Sequence, residues 1–374
     1  MKILHIINNL GSGGAEKLIE DTLPIMNKYS DVKIELLILT GENNVFDEKL
    51  RNSGIKIYNL EAINIYNPIN IFKIRKSLKN NNYDLIHVHL FPAFYWVTVA
   101  NILNFKNRIP LIMTEHNTHN RRRKYNFFKI FDKFIYNQID KIISISKDTQ
   151  INLKEWLGVD KDNNNFEIIN NGINTKKFKN AKSYKKNDLL NGYSSGDILI
   201  TMVGRFSEQK DQKTLIKATK NLPNEFNLIL IGEGNLKSDC ENLVDDLKMN
   251  DRVHFLGFRK DVERIMKTSD IIVLSSNWEG FGLVAVEGMA AGKPLIASNV
   301  SGLRNIVKDA GLLFEPKNAK QLTKLIKNLS EDQKFYDKIS EKCLNRAESY
   351  DLKNMIDKQI DLYKSLSNKS IKRN

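Results

Sequence analysis

Cysteine is nearly missing from this chain of 374 residues: Cys240 and Cys343 are the only two, and they stand far apart. That excludes a disulfide framework and a CxxC metal site, and it points to a reducing cytoplasm. Histidines and cysteines with metal-ligand spacing are lacking as well. The one DxD-like sequence, Asp160-Lys161-Asp162, lies in a polar run ahead of Asn163-Asn164-Asn165 and reads as a solvated loop. Long hydrophobic runs are also absent. The most apolar stretch, residues 91–103, carries Pro92, Thr98 and Asn101 and cannot span a bilayer. At the N-terminus, Ile3-Leu4-His5-Ile6-Ile7 stops at Asn8-Asn9, too short for a secretory apolar region and suited to a first strand. A soluble protein is expected.

What is plentiful is positive charge, with 58 lysines and arginines against 44 acids and a net charge of +14. A basic surface suits nucleic acid, anionic lipid or phosphate-rich substrates. No RNA- or DNA-reading motif is present, and the cations are spread along the chain. Nucleic acid is therefore not the expected partner. Hydrophobic residues make up 41% and charged residues 27%, ordinary for a globular protein with two cores. The length itself favours two or three domains.

Short β-branched runs alternate with amphipathic segments, the pattern of a parallel sheet covered on both faces. In the first half, residues 2–7, 33–39, 85–89, 111–114 and 141–145 read as strands, and 15–26, 71–79 and 127–136 as helices. The second half restarts the rhythm with strands at 198–203, 227–231, 252–255, 271–274 and 294–297. Its helices fall at 212–218, 236–247, 262–266, 283–291 and 319–329. Between the halves, residues 180–196 are rich in Lys, Asn, Ser and Gly and read as a linker. The expected division is 1–180 for an N-terminal domain and 181–350 for a C-terminal one. Residues 351–374 would be a helix packing back on the first domain, with a frayed tail. Two such α/β domains would place ligands between the carboxyl ends of their sheets.

Three segments suggest chemistry. Gly11-Ser12-Gly13-Gly14 follows the first strand and opens a helix at Ala15-Glu16, where backbone amides favour phosphate or simply make a tight turn. It is not a dinucleotide fingerprint, because the third glycine position is Glu16; Gly232-Glu233-Gly234 fails likewise at Lys237. Arg205 and Lys210 flank a turn after a second-half strand and would suit a diphosphate leaving group. After the strand at 271–274 comes Trp278-Glu279-Gly280-Phe281-Gly282-Leu283, with Glu287 one turn into the next helix among apolar neighbours. A carboxylate there needs donors, either sugar hydroxyls or protein groups.

The spacing of Glu279 and Glu287, with Gly-Phe-Gly between them and Gly292-Lys293-Pro294 beyond, resembles the E-x7-E motif of retaining glycosyltransferases of family 4. The likeness also takes in Asp84-Leu-Ile-His-Val-His89, Ile142-Ile-Ser-Ile-Ser146, Asn171-Gly-Ile-Asn174, Phe255-Leu-Gly257 and Gly311-Leu-Leu-Phe314-Glu-Pro316. It implies an α/β GT-B fold, two Rossmann-like domains facing a central cleft, with the donor held by the second. Arg205 and Lys210 would bind the diphosphate, and Glu287 the ribose. Glu279 and the amides around Phe281, Gly282 and Leu283 would hold the transferred sugar. Gly14 would approach the diphosphate or acceptor from the first domain, and His116 would contact the sugar near its reacting carbon. Transfer would retain the anomeric configuration, with the leaving phosphate helping to deprotonate the acceptor, so that no metal and no cofactor is required. One departure stands out: the family often has glycine where this chain has Asp211, which puts a carboxylate beside Lys210. His87, His89 and His119 read as strand or loop histidines without catalytic duty.

Arg121-Arg122-Arg123-Lys124-Tyr125 precedes a helix carrying Phe127, Phe128, Ile130, Phe131, Phe134 and Ile135 with Lys129 and Lys133. Two readings stay open: an aromatic core face with solvated cations, or a patch that docks the protein peripherally on anionic lipid near a lipid-linked acceptor. The expected function is sugar transfer from a nucleotide-sugar to a glycan or lipid-linked acceptor, in cell-surface polysaccharide or glycolipid synthesis, on the cytoplasmic face of the membrane. The rivals are a GT-B nucleotide-sugar epimerase and a non-catalytic nucleotide-sugar-binding protein.

Overall fold

The computed structural model describes residues 1–374 except 12, 43, 119–120, 161, 191–195 and 372–374; the side chains of 106, 121 and 368–371 also lie outside the description. Ser12, His119, Lys161 and the end of the tail thus fall outside it. Two compact units result: residues 1–172 with 352–374, and residues 173–351.

The first unit alternates strand and helix: β1 (Lys2–Ile7), α1 (Gly14–Met26), β2 (Lys33–Ile38), α2 (Asp47–Asn52), β3 (Lys56–Asn59) and α3 (Asn70–Lys79). It continues with β4 (Leu85–His89), α4 (Ala93–Ile102), β5 (Leu111–Glu115), α5 (Phe127–Tyr136), β6 (Lys141–Ser144), α6 (Lys147–Leu157) and β7 (Phe166–Ile168). All seven strands are parallel, in the order β3-β2-β1-β4-β5-β6-β7. The period of two in a strand sends Leu4 and Ile6 to one face and Ile3 and Ile7 to the other. The first pair joins a core with α3 to α6, and the second a core with α1 and the C-terminal helix Leu352–Ile371. Met355, Ile356, Ile360 and Tyr363 tie that helix down; each such side chain contributes about 1.5–3 kcal/mol on burial.

The second unit opens with two short helices, α7 (Thr175–Lys179) and α8 (Lys186–Leu189). Then come β8 (Ile198–Val203), α9 (Gln212–Lys220), β9 (Phe226–Ile231), α10 (Lys237–Asp246), β10 (Val253–Phe255) and α11 (Val262–Thr268). The unit closes with β11 (Ile271–Leu274), α12 (Leu283–Ala290), β12 (Leu295–Ser298), α13 (Arg304–Val307), β13 (Leu312–Phe314), α14 (Ala319–Glu331) and α15 (Gln333–Glu348). Its six strands are parallel, in the order β10-β9-β8-β11-β12-β13.

The chain passes between units at Gly172–Ile173, ahead of the polar stretch where composition suggests a linker, and again at Asp351–Leu352. The reason is local. Phe178 of α7 is buried, Thr175 Oγ1 bonds the Asp351 carboxylate, and the Tyr184 amide donates to Thr268 Oγ1 at 2.8 Å. These bonds make the polar stretch part of the second unit. Residues 191–195 of it lie outside the described residues.

Candidate active site

In each sheet the strand order reverses once, and loops leaving the two strands at such a point diverge to leave room for a ligand. In the second unit the reversal falls between β8 and β11. The loop after β8 carries Arg205 and Lys210, and the loop after β11 carries Glu279. Hydrogen bonds lace the two together: the Asn277 amide donates to Gln209 O at 2.7 Å, Asn277 Nδ2 to Glu208 O at 2.7 Å, and Ser275 Oγ to Asp211 O at 2.8 Å. Neighbouring loops hold them from behind. A Cβ on Gly232 would lie 2.2 Å from Gly204 O, and one on Gly302 would lie 2.4 Å from Glu279 O; both glycines have positive φ. The Gly232-Glu233-Gly234 sequence is thus a packing device for the Arg205 loop.

Glu279 is 6% exposed. Its carboxylate pairs with the Lys210 ammonium, accepts from Ser276 Oγ at 2.8 Å and from Gln209 Nε2 at 3.3 Å. Lys210, expected at the diphosphate, is therefore committed to Glu279. The two residues form one element of the site. Arg205 is exposed, and its guanidinium has no ion pair or hydrogen bond among the described residues. Phe281 is buried edge-on against Tyr350, with ring centroids 5.4 Å apart. Gly282 is the N-cap of α12 at φ +88° and brings no side-chain cap, so the amides at Leu283 and beyond begin the helix uncapped. Glu287 sits half-buried on the same helix.

Asp211 does not crowd this site. Its carboxylate accepts from Thr214 Oγ1 at 2.6 Å at the start of α9, and its φ is +50°. A left-handed conformation is what glycine adopts most easily, which gives the family's usual residue at this position a physical reason.

In the first unit the reversal falls between β1 and β4. Here Gly14 is exposed and begins α1. The Glu16 carboxylate folds back toward the start of that helix, since a Cβ on Gly13 would lie 2.2 Å from Glu16 Oε2. Parallel register sets His5 beside His87 and His89 beside Thr114. His5 Nδ1 lies 3.2 Å from His89 Nε2, and His89 Nδ1 lies 3.1 Å from His116 Nε2. His87 Nδ1 is 2.6 Å from the Tyr363 hydroxyl, and His87 Nε2 is 2.7 Å from Thr114 Oγ1. Burial lowers all four histidines, His5 to about 3 and His116 to about 4, so each ring is neutral at pH 7. His89, read from sequence as a bystander, thus joins His116 in one hydrogen-bonded line, and His87 packs its ring against His5 and His89 at 4.9 and 4.2 Å between centroids. Only the register of strands distant in sequence brings them together.

On α5 the structure does not place the aromatic face in the core. Its inward face is Asp132, Ile135 and Tyr136, and Asp132 accepts from Tyr95 OH at 2.5 Å and Trp156 Nε1 at 2.7 Å. Phe127, Ile130, Phe131 and Phe134 are 56%, 74%, 59% and 56% exposed. The aromatic face is outside, not core. Of the four cations ahead of it, Arg122 and Arg123 turn inward and do not join that face as the sequence suggests: Arg122 is buried over the rings of Phe91 and Phe94 and pairs with Asp132 at 3.3 Å. Arg123 pairs with Glu115 at 3.0 Å. Lys124 is exposed and joins the face with Tyr125 and Lys133, while the Arg121 side chain lies outside the described residues.

The sequence profile described as Glycosyl transferases group 1 matches residues 190–346, and that of Glycosyltransferase Family 4 matches residues 12–177. An uncharacterized glycosyltransferase of Methanocaldococcus jannaschii is 33% identical over 326 residues, 84% of this chain and 85% of its own. The UDP-Gal:alpha-D-GlcNAc-diphosphoundecaprenol alpha-1,3-galactosyltransferase of Escherichia coli is 28% identical over 313 residues, 78% of each chain. Among solved structures, HepE of Anabaena in complex with UDP and glucose has a TM-score of 0.85 at 22% identity, covering 98% of this chain and 100% of its own. The lipopolysaccharide glycosyltransferase WaaG has a TM-score of 0.74 at 14% identity, covering 96% of this chain and 99% of its own. The fold is GT-B.

Proposed function

We propose that this chain, which belongs to the family 4 glycosyltransferases, moves a sugar from a nucleoside-diphosphate donor to a lipid-linked or glycan acceptor with retention of configuration. One observation carries the reading: an Arg205 that is unpaired among the described residues and the uncapped start of α12 lie on the loops that flank the β8–β11 switch point, with a buried Lys210–Glu279 pair on the same two loops. Cationic and amide donors there stabilise the charge that grows on a departing diphosphate. With those donors in place, a divalent metal is not required. Glu279, held by Lys210, Ser276 and Gln209, presents a fixed carboxylate to the sugar hydroxyls, and Glu287 takes the ribose. From the first unit, His116 hydrogen-bonds the transferred sugar. The bond from the anomeric carbon to the phosphate oxygen breaks as the acceptor oxygen bonds that carbon on the same face. The acceptor proton passes to the leaving phosphate.

The acceptor assignment rests on the E. coli relative, whose name specifies a diphosphoundecaprenol-linked sugar, and on the outer face of α5. Aromatic side chains flanked by Lys124 and Lys133 suit an anionic lipid surface. Among the described residues no helix is long and apolar enough to cross a membrane, so contact would be peripheral. Incubating the full chain with radiolabelled UDP-, GDP- and ADP-sugars and a membrane extract tests the reading, with EDTA in a parallel arm. Transfer into the lipid fraction with the donor's anomeric configuration is expected in both arms. Isomerised donor would mean an epimerase; binding without turnover would mean a non-catalytic chain.

A further inference from the structure

The histidine network of the first unit has a direction, and the direction decides what His116 can do. His116, His89 and His5 form a line of ring nitrogens, 3.1 Å and then 3.2 Å apart, running from a half-buried ring to a fully enclosed one. At the closed end, His5 Nε2 is buried and has no hydrogen-bond partner among the described residues. At the open end, His116 Nδ1 makes no protein hydrogen bond among the described residues.

A neutral imidazole has one N–H and one bare nitrogen, so three neutral rings in line admit only two arrangements. If the hydrogens point inward, His116 Nε2–H donates to His89, His89 Nε2–H donates to His5, and His5 is left with a buried N–H that meets no acceptor. If they point outward, His5 Nδ1–H donates to His89 and His89 Nδ1–H donates to His116. His116 then carries its hydrogen on Nδ1, where water or a ligand oxygen accepts it. The outward arrangement satisfies every N–H and leaves only a bare lone pair enclosed at His5. Orphaned buried N–H groups are the rarer defect in proteins.

A metal ion is the other use of three clustered histidines, since ring nitrogens of His5, His87 and His89 all lie within 4.8 Å of one another. Here, however, both nitrogens of His87 and both of His89 already have partners. Only His5 Nε2 is left over. Holding an ion would break several of these bonds.

We propose that His89 and His5 are positioning residues that fix His116 as the Nδ1–H tautomer, making it a hydrogen-bond donor to an oxygen of the bound sugar and not a base. The role of His116 toward sugar rests on the proposed function; the tautomer does not. Burial, which keeps all three rings neutral, lets the arrangement persist through the pH range of the cytoplasm. It also agrees with a reaction in which the leaving phosphate takes the acceptor proton.

The test is nitrogen NMR on the full chain labelled with ¹⁵N-histidine, with the His116 signals assigned by their loss in His116→Gln. His116 is expected to show a protonated Nδ1 and a bare Nε2. A protonated Nε2 overturns the proposal. Asn at position 89 keeps an N–H near the place of Nδ1, whereas Leu does not. Replacing His89 by Leu is therefore expected to scramble the His116 tautomer and lower kcat about 10- to 100-fold with little change in donor KM. His89→Asn is expected to restore the tautomer and recover much of that rate. Equal loss in the two variants, at equal melting temperature, or an unchanged tautomer in His89→Leu, overturns the positioning role. Absence of transfer with every donor, alongside the expected tautomer, would remove the functional reading and leave this inference standing.

Discussion

The Lys210 ammonium and the Glu279 carboxylate form an ion pair in which both side chains are largely buried, 16% and 7% exposed. Breaking a buried pair from one side leaves an uncompensated charge, at a cost of about 3–5 kcal/mol where nothing else helps. Ser276 and Gln209 still donate to Glu279, so Lys210→Met is expected to cost about 2 kcal/mol. Glu279→Gln strands the ammonium instead. The double variant removes both charges and should recover at least about 1 kcal/mol relative to additivity. Urea unfolding of the four proteins measures this coupling; additivity would mean that the pair is not an energetic unit. On the proposed role of Glu279 as a fixed partner of the sugar, each single variant is expected to lose transfer by about 100-fold.

Arg205 stands in the opposite condition, exposed and unpaired among the described residues. Truncating such a side chain leaves stability within about 0.5 kcal/mol. Its effect should fall on ligand: charge-assisted bonds to phosphate contribute about 1.5–3 kcal/mol, so Arg205→Ala is expected to weaken nucleoside diphosphate about 10- to 100-fold. Calorimetry with the diphosphate and with the bare nucleoside separates the causes. A loss equal for both would place Arg205 away from the phosphates. Lysine restores charge without the planar fork and should recover only part of the affinity.

These two residues differ in how much of their setting was legible. Both lie on loops after β-branched runs, and such runs in the second unit mark β8, β9 and β11 because parallel strands buried on both faces are continuously apolar. That Lys210 turns inward to Glu279 while Arg205 stays outside depends on loop packing, including the close approach of Gly232 to Gly204 O, which periodicity does not encode. The helix α4 escaped for a related reason. It is apolar nearly all round, and its polar Asn101 is buried with both amide atoms spent on the Ile109 backbone, at 2.7 and 3.1 Å. The histidine network was hidden because His5, His89 and His116 meet only through the register of β1, β4 and β5. On α5 the period of 3.6 revealed an apolar face but not which way it turns. Asp132, with bonds to Tyr95 and Trp156, decides that.

The buried histidines set a pH limit on the first unit. In the unfolded chain these rings take up protons as pH falls through about 6.5, whereas in the folded chain burial holds His5 near 3 and His116 near 4, with His87 and His89 also well below their ordinary value. The unfolded state therefore binds more protons, and stability is full above about 6.5 and lost as pH falls below it. Each such ring contributes a slope of about 1.4 kcal/mol per pH unit over that window. Melting followed at pH 7, 6 and 5 should show a steepening decline. His5→Leu, which removes one of these rings, should flatten it. A melting temperature constant across this range would mean that the histidines titrate normally in the fold.

The outer face of α5 makes the membrane reading separable from the fold. Phe131 is 59% exposed, so Phe131→Glu removes little internal packing and should leave the melting temperature nearly unchanged. If the face inserts at a lipid surface, the same change gives up the burial of one aromatic ring, about 1.5–3 kcal/mol, and places a negative charge at an anionic interface. Co-sedimentation with anionic vesicles is expected to fall about 10-fold or more for this variant. Lys124→Glu with Lys133→Glu should act through charge: each lysine near the surface contributes about 1 kcal/mol, and that part is screened by salt. Arg122→Ala supplies the contrast, because its guanidinium is spent inside the unit on Asp132 and the Phe91 and Phe94 rings. It should lower stability without lowering vesicle binding by the folded protein. Binding that ignores anionic lipid content, or that Phe131→Glu leaves intact, would assign the exposed aromatics another use.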